Sequence, residues 1–230
     1  MAEFLEQLPL FPIALTISAC LFGQWLQSKF KNPLLHPILV AAVLVAVVLT
    51  AADFPLEEYQ EGTKVLSWLL TPATICLAVP LYQQLKVLKK NLLAIIYGIA
   101  AGSVTSLVVV FAMCRLFGLD NTITVSLLPK SITTAMGIVL SGDNGGLQAL
   151  TTAVIIVTGI LGSFMGSFLC KIFKLTDPIS QGVAFGTASH VVGTSKANEL
   201  GKLQGAVSSL SLVVAGILTA ILFPLACMLL

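Results

Sequence analysis

Long apolar stretches separated by short polar turns make up almost the whole chain. Eight such stretches are recognisable, and their approximate bounds are 8–28, 34–53, 63–84, 92–118, 122–141, 147–172, 179–199 and 204–230. A helix that crosses a bilayer needs about 20 mostly apolar residues, whereas the strands of a membrane barrel are shorter and alternate in polarity. The pattern therefore predicts an all-α membrane protein, a polytopic helical bundle with about 7–8 membrane segments.

Composition supports this class and narrows the choice of partners. Hydrophobic residues make up 57% of the chain, charged residues 10%, and the mean hydropathy is +1.01. Soluble domains carry about 25% charged residues, so the partner that covers this chain is a lipid bilayer. A net charge of +2 is too small to suggest nucleic acid. The cysteines are isolated within apolar stretches, so we expect inert thiols, no metal site and no cofactor.

Lysines near the segment ends predict the orientation in the membrane. Loops 29–33 and 86–91 carry lysines and the loop between them is acidic, so we expect these two loops to be cytoplasmic. Lys171 and Lys174 have the same signature, although strict alternation of eight crossings would place them outside. We therefore expect one segment not to cross fully, and 122–141 is the candidate because its middle is polar.

A weak internal similarity suggests two related halves within a single transmembrane domain, residues 1–230. Residues 71–86 align with 187–202 at an offset of about half the chain, and each stretch precedes a long apolar segment. The pattern predicts halves of roughly 1–116 and 117–230. Two halves with polar, interrupted segments at corresponding positions are typical of transporters built from inverted repeats. If the halves are inverted, one segment in each must be re-entrant or split.

Three polar stretches interrupt the apolar pattern: "LLTPATICLAVPLYQQ" (69–84), "SLLPKSITTAMG" (126–137) and "GTASHVVGTSKANELG" (186–201). Backbone groups freed by a helix break cost several kcal/mol in lipid unless protein or a water-filled cavity satisfies them. We therefore expect these breaks to serve a site. The residues predicted to break or start helices are Thr71, Pro72, Pro80, Pro129, Gly186 and Gly193.

The second and third stretches contain the side chains predicted to bind substrate. Lys130 would hold a carboxylate, helped by free N–H groups of a half-helix that follows Pro129. His190, with an unperturbed pKa of about 6.5, would couple proton movement to transport. Lys196 and Glu199 would lie at the rim. The full set of predicted binding residues is Lys130, Ser131, Thr133, Thr134, Ser189, His190, Thr194, Ser195 and Asn198.

Each of these residues also has a purely structural interpretation. Lys130 would snorkel to an interface, His190 would be an interior histidine that binds no ligand, and Lys196 would pair with Glu199 at a spacing of three residues. An enzyme is not expected, because the adjacent pairs Lys130–Ser131 and Ser189–His190 point about 100° apart on a helix and form no dyad. Neither a G-x-S-x-G nor an H-E-x-x-H motif is present.

The motifs "LLPKSITTAMG" and "DPISQGVAFGTASHVVGTSKANELG" resemble the LrgB/CidB family of bacterial membrane proteins, and the likeness extends over nearly the whole chain from about residue 30. Family members usually have glycine where this chain has Val192. The resemblance implies a multi-pass protein of the bacterial cytoplasmic (inner) membrane.

Two functions follow from the resemblance. One is secondary transport of small monocarboxylates, with pyruvate first and lactate, glycolate or glycerate next. For such a transporter we expect proton coupling through His190, and a homodimer because transport domains commonly need a static scaffold to move against. The alternative is an antiholin-like regulator of murein hydrolases and autolysis that acts with a small holin-like LrgA/CidA partner. Polar interruptions at membrane depth favour transport, because a holin needs little beyond helices that oligomerise.

Overall fold

The computed structural model describes residues 10–30, 37–69, 72, 75–76 and 78–230. The chain divides into two compact units, Met1–Cys76 and Leu77–Leu230. Within the described residues every regular element is a helix, which confirms the predicted all-helical class.

The first unit is built around two apolar helices. Its elements are α1 (Phe11–Phe30), α2 (Pro37–Ala52), α3 (Leu56–Gly62) and α4 (Lys64–Trp68). Leu15, Leu49 and Phe54 form its buried apolar cluster. The hydroxyls of Thr16 and Tyr59 hydrogen-bond to each other at 2.7 Å, which joins α1 to α3.

The second unit contains the long helices. Its elements are α5 (Ala78–Gln83), α6 (Leu85–Lys90), α7 (Leu92–Leu116), α8 (Asn121–Leu127), α9 (Thr134–Asp143), α10 (Gln148–Ile172), α11 (Pro178–Leu200) and α12 (Lys202–Cys227). Among the described residues, three helices are long and apolar enough to cross a membrane: α7, α10 and α12, with hydropathies of 2.2, 2.1 and 2.4. These helices support the membrane class, while the predicted count of 7–8 segments stays a prediction.

Helix α11 is not straight, because the chain reverses direction within it. Ser189 and His190 have non-helical dihedral angles, with φ of −133° and 42°. Gly193 lies so close to Phe185 that a Cβ atom at 193 would be 2.5 Å from the Phe185 carbonyl oxygen. Residues eight apart in a continuous helix are separated by about 12 Å. Residues 178–200 therefore form a helical hairpin, named hairpin 2, with its tip at Ser189–His190.

Helices α8 and α9 form a similar hairpin around the turn at residues 128–133; we name residues 121–143 hairpin 1. Thr151 of α10 donates to the carbonyl of Ser126 on one arm at 3.0 Å and to the hydroxyl of Ser141 on the other at 2.7 Å. A single side chain therefore contacts both arms. The doubling back agrees with the prediction that 122–141 does not run through in one direction.

The two hairpins approach the middle of α7 from its opposite ends. The hydroxyls of Ser131, in the turn of hairpin 1, and Ser106 of α7 hydrogen-bond to each other at 2.8 Å. Thr187, near the tip of hairpin 2, packs against Gly102. Gly98 contacts Val183 one turn earlier, so the first arm of hairpin 2 runs in the same direction as α7. The two tips therefore meet beside Gly102–Ser106, near the centre of Leu92–Leu116.

Most lysines of the second unit lie at the same end of its long helices. α10 runs opposite to the first arm of hairpin 2, because Gly162 contacts Ser189 and Gly166 contacts Phe185. α10 is therefore antiparallel to α7, and its C-terminal lysines lie at the end where α7 begins. This lysine-rich end carries Lys86, Lys89, Lys90, Lys171, Lys174 and Lys202.

The turns that lead into the two hairpins have the same construction. After α7, the N–H of Leu119 donates to the Cys114 carbonyl at 2.9 Å; after α10, the N–H of Leu175 donates to the Cys170 carbonyl at 2.8 Å. Gly118 and Lys174 both have positive φ, 64° and 51°. Asp120 then caps hairpin 1 and Asp177 caps hairpin 2, each accepting from a backbone N–H three residues on. The predicted division into halves 1–116 and 117–230 stays a prediction.

Chemical cross-linking tests the reversal in hairpin 2. In a variant without the native cysteines, we expect a short bismaleimide to join Phe185→Cys to Ala197→Cys, because these residues belong to one packed cluster. Val207→Cys with Thr219→Cys is the control, since the same sequence separation along continuous α12 spans about 18 Å. Mass spectrometry of the digested protein measures both. Equal cross-linking of the two pairs, or none at 185–197, would contradict the hairpin.

Candidate functional site

A cavity of about 790 Å³ lies between α7 and the first arm of hairpin 2. Asn91 and Asp177 line it at the lysine-rich end, and Lys130 and Ser131 line it at the turn of hairpin 1. The cavity therefore connects one end of the helix bundle to the place where the hairpin tips meet.

The walls of the cavity are small or apolar along most of its length, and hydroxyl groups collect at its inner end. Helix α7 contributes one face at helical spacing: Ala94, Gly98, Ala101, Gly102, Thr105, Ser106 and Val109. The facing arm contributes Ile179, Ser180, Val183, Ala184, Thr187 and Ala188. Glycine at 98 and 102 allows this arm to approach α7 closely, which brings Thr187 and Ser106 to the same region.

Lys130 lies at the inner end of the cavity and is half-buried. Its ammonium donates to the Ser131 hydroxyl at 3.4 Å, and Ser131 is linked to Ser106. The ion pairs found in the described part of the chain are Lys64–Glu61 and Lys196–Glu199, so none of the described carboxylates pairs with Lys130. A cation in this position costs at least about 2.5 kcal/mol at bilayer depth. An anion bound beside it would offset that cost.

Thr187 adds an unused polar group to the same cavity. Its residue surface is 5% exposed and its hydroxyl has no hydrogen-bond partner. A buried polar group without a partner costs about 1–3 kcal/mol, so this hydroxyl is available to a ligand. Neither Thr187 nor Ser106 was predicted as a site residue. The spacing Gly98, Gly102, Ser106 would have indicated a small, polar face on α7.

Three predicted site residues of hairpin 2 lie outside this cavity lining and stabilise the tip instead. The Nε2 atom of His190 is 2.8 Å from the Ile155 carbonyl oxygen on α10. Thr194 donates to the His190 carbonyl at 2.9 Å, and its hydroxyl is also 2.9 Å from that of Ser208 on α12. Ser189 packs against Gly162. All three are buried. Their contacts are those of interior side chains that hydrogen-bond to or pack against neighbouring helices, as the structural interpretation predicts.

The second arm of hairpin 2 carries the remaining predicted residues. Lys196 pairs with Glu199 at 2.7 Å, as the structural interpretation of these two residues predicts. Ser195 is exposed and donates to the Val191 carbonyl at 3.2 Å. Asn198 packs against Gly205 of α12. None of these side chains lines the cavity that contains Lys130.

Two predicted helix breaks need correction. The half-helix does not follow Pro129 directly: residues 128–133 form a turn, Thr133 is the N-cap, and α9 begins at Thr134. Lys130 therefore lies in the turn, and neither Thr133 nor Thr134 lines its cavity.

The break in hairpin 2 is at Ser189–His190, whereas the prediction placed it at Gly186 and Gly193. Both glycines are helical, and both allow close packing: Gly186 lies against the backbone of Ser208, and Gly193 against that of Phe185. In the first polar stretch, Pro80 lies within α5 and Pro72 has helical backbone. Thr71 lies outside the described residues.

Comparison with known proteins identifies relatives along nearly the whole chain. A model of the LrgB-like family matches residues 16–229. The Holin-like protein CidB of Staphylococcus epidermidis is 36% identical over 224 residues, which cover 97% of this chain and 97% of the relative. The Antiholin-like protein LrgB of Bacillus cereus is 36% identical over 218 residues, 94% of this chain and 95% of the relative. No solved structure matches the chain.

Paired threonine variants test the difference between the cavity and the tip. Thr187→Val removes a hydroxyl without a partner, so we expect an unchanged or higher melting temperature. Thr194→Val removes a hydroxyl that serves both His190 and Ser208, at a cost of about 1–3 kcal/mol, or a melting temperature lower by roughly 2–10 °C. Thermal unfolding in detergent measures both. A larger loss for Thr187→Val than for Thr194→Val would contradict the assignment.

Proposed function

The chain belongs to the LrgB-like family, and we propose that it is a secondary transporter of small monocarboxylates. Pyruvate is the first candidate, followed by lactate, glycolate and glycerate. The observation that carries this proposal is Lys130, a cation that no described carboxylate neutralises, at the inner end of a cavity. The ammonium would bind the carboxylate, and the hydroxyls of Ser131, Ser106 and Thr187 would bind its oxygens or the adjacent carbonyl or hydroxyl group.

The arrangement of the hairpins supports a carrier. α7 with hairpin 1 and α10 with hairpin 2 have the same order of elements and the same connecting turns, but they run in opposite directions. We infer that residues 92–143 and 148–200 form an inverted repeat, which would replace the predicted halves 1–116 and 117–230, with the substrate between the two tips. Transporters built this way expose one central site to each side of the membrane in turn.

The lysine-rich end would face the cytoplasm, because positively charged residues are retained on that side. The cavity reaches this end at Asn91 and Asp177, so in a multi-pass protein of the bacterial cytoplasmic membrane this arrangement would be an inward-facing state. A homodimer would provide a static surface against which the hairpins move.

The second candidate function is an antiholin-like regulator of murein hydrolases and autolysis that acts with a small LrgA/CidA-type partner. The names of both relatives favour it, and neither name is that of an enzyme. A pore or pore regulator would not require a half-buried lysine beside hydroxyl groups. Saturation separates the two: a carrier saturates and shows competition between acids, whereas a pore passes unrelated solutes in proportion to their concentration.

Lysine variants test the proposed substrate site. Purified protein in liposomes should take up labelled pyruvate saturably. Lys130→Met should raise the half-saturating concentration roughly tenfold or more, because a hydrogen bond to a charged group contributes about 1.5–3 kcal/mol. Lys130→Arg keeps the charge and should retain most of the affinity. Unchanged affinity in Lys130→Met would refute the anchoring role, and linear uptake by wild-type protein would favour the regulator.

A histidine variant tests proton coupling, which stays part of the proposal. The amide of His190→Gln can reach the Ile155 carbonyl but does not titrate near neutral pH. If His190 couples protons, the variant loses the pH dependence of pyruvate uptake between about pH 5.5 and 8. His190→Ala is the control, since it also removes the bond to Ile155 and should lower the melting temperature. A pH profile in His190→Gln that matches wild type would leave His190 a structural role only.

A further inference from the structure

We infer that the preferred substrates are monocarboxylates of more than three carbons with an apolar chain, such as 2-oxo acids of four to six carbons. This inference rests on the proposed function and concerns the substrate class of the same cavity. It depends on the contacts at the inner end of the cavity, on the walls beyond them and on the charge at the outer end.

The contacts at the inner end fix the direction in which a bound acid extends. Ser131, next to Lys130, is linked to Ser106 at 2.8 Å, and Thr187 packs against Gly102. Ser106 and Gly102 are four residues apart on α7, about 6 Å along the helix axis. A ligand whose carboxylate is on Lys130 would extend from there toward the unpaired Thr187 hydroxyl, which is available to its 2-oxo or 2-hydroxy oxygen. The rest of the molecule then points along α7 toward Gly98.

The walls beyond Thr187 are made of small apolar residues. Gly98 and Ala101 lie on α7, and Val183 and Ala184 lie on the facing arm. The cavity volume is about 790 Å³, whereas a three-carbon acid fills roughly the space of three or four water molecules at about 30 Å³ each. An apolar chain would displace water from these walls, and water gains no hydrogen bonds there.

The charged residues that line the cavity favour one carboxylate. Among the described lining residues, Lys130 is the only lysine or arginine, and Asp177 at the other end accepts from the N–H of Ser180 at 2.8 Å. The lysines of the lysine-rich end are not among the lining residues, so a second carboxylate on the ligand would have no cation of the cavity wall to pair with. A polyhydroxylated chain would find few partners between Thr187 and Ser180. The occupant is therefore an acid with one charged end and an apolar chain.

Competition in proteoliposomes tests this inference. Labelled pyruvate uptake is measured against pyruvate, 2-oxobutanoate, 3-methyl-2-oxobutanoate and 4-methyl-2-oxopentanoate, with the neutral amide of the last as a control. We expect the inhibition constant to fall by about two- to fourfold for each added carbon, since a buried methylene group contributes up to roughly a fourfold gain in affinity. The amide should not inhibit at the same concentrations, because it lacks the charge for Lys130.

A variant that narrows the cavity provides a second test. Ala184→Leu fills the apolar part of the cavity and should abolish the advantage of the longer acids over pyruvate. Val108→Leu is the matched control, because Val108 is on α7, is exposed and does not line the cavity. It should keep the full chain-length series.

The outcomes separate the two proposals. Saturable pyruvate uptake without any gain for longer acids would overturn this inference and leave the proposed function standing. An equal gain in affinity with chain length in wild type and Ala184→Leu, or inhibition by the amide, would mean that lipid rather than the cavity binds the apolar chain. Either result would also overturn this inference. Absence of saturable uptake of every acid would overturn both proposals.

Discussion

The reversal of the chain at two hairpin tips is the constraint on which the rest of this structure depends. In a membrane, backbone groups freed where a helix ends cannot be left to lipid. Both hairpins meet this demand with threonine hydroxyls. Thr151 of α10 donates to the Ser126 carbonyl of hairpin 1, and Thr194 donates to the His190 carbonyl at the tip of hairpin 2.

These bonds also explain why the polar residues near the tips divide into two groups. The side chains of His190 and Thr194 already have hydrogen-bond partners, because each contacts a neighbouring helix. Lys130 and Thr187 face the cavity instead, one without a described carboxylate partner and the other without a hydrogen bond. Leaving these two groups unpaired costs free energy, and a bound carboxylate would offset that cost. The proposed function therefore depends on Lys130 and Thr187.

The sequence predicted the class of the fold and part of the candidate site. The remaining features depend on contacts between helices, which cannot be predicted from one sequence. Apolar length predicted the helical membrane class. The lysines at 171 and 174 predicted that one segment does not cross fully, and the polar middle of 122–141 indicated which one. The position of the break in hairpin 2 was not predictable, because glycine serves both as a helix breaker and as a site of close contact. Gly186 and Gly193 have the second role. Thr187 was missed because its importance comes from α7, a helix far away in sequence.

Substrate protection of a single introduced cysteine tests the central claim most directly. Ala188 lines the cavity one residue beyond Thr187 and is exposed to it. In a variant without native cysteines, Ala188→Cys should react with a small water-soluble maleimide, and pyruvate should slow that reaction while its neutral amide does not. A labelling rate that pyruvate leaves unchanged at millimolar concentration would contradict a carboxylate site between the hairpin tips.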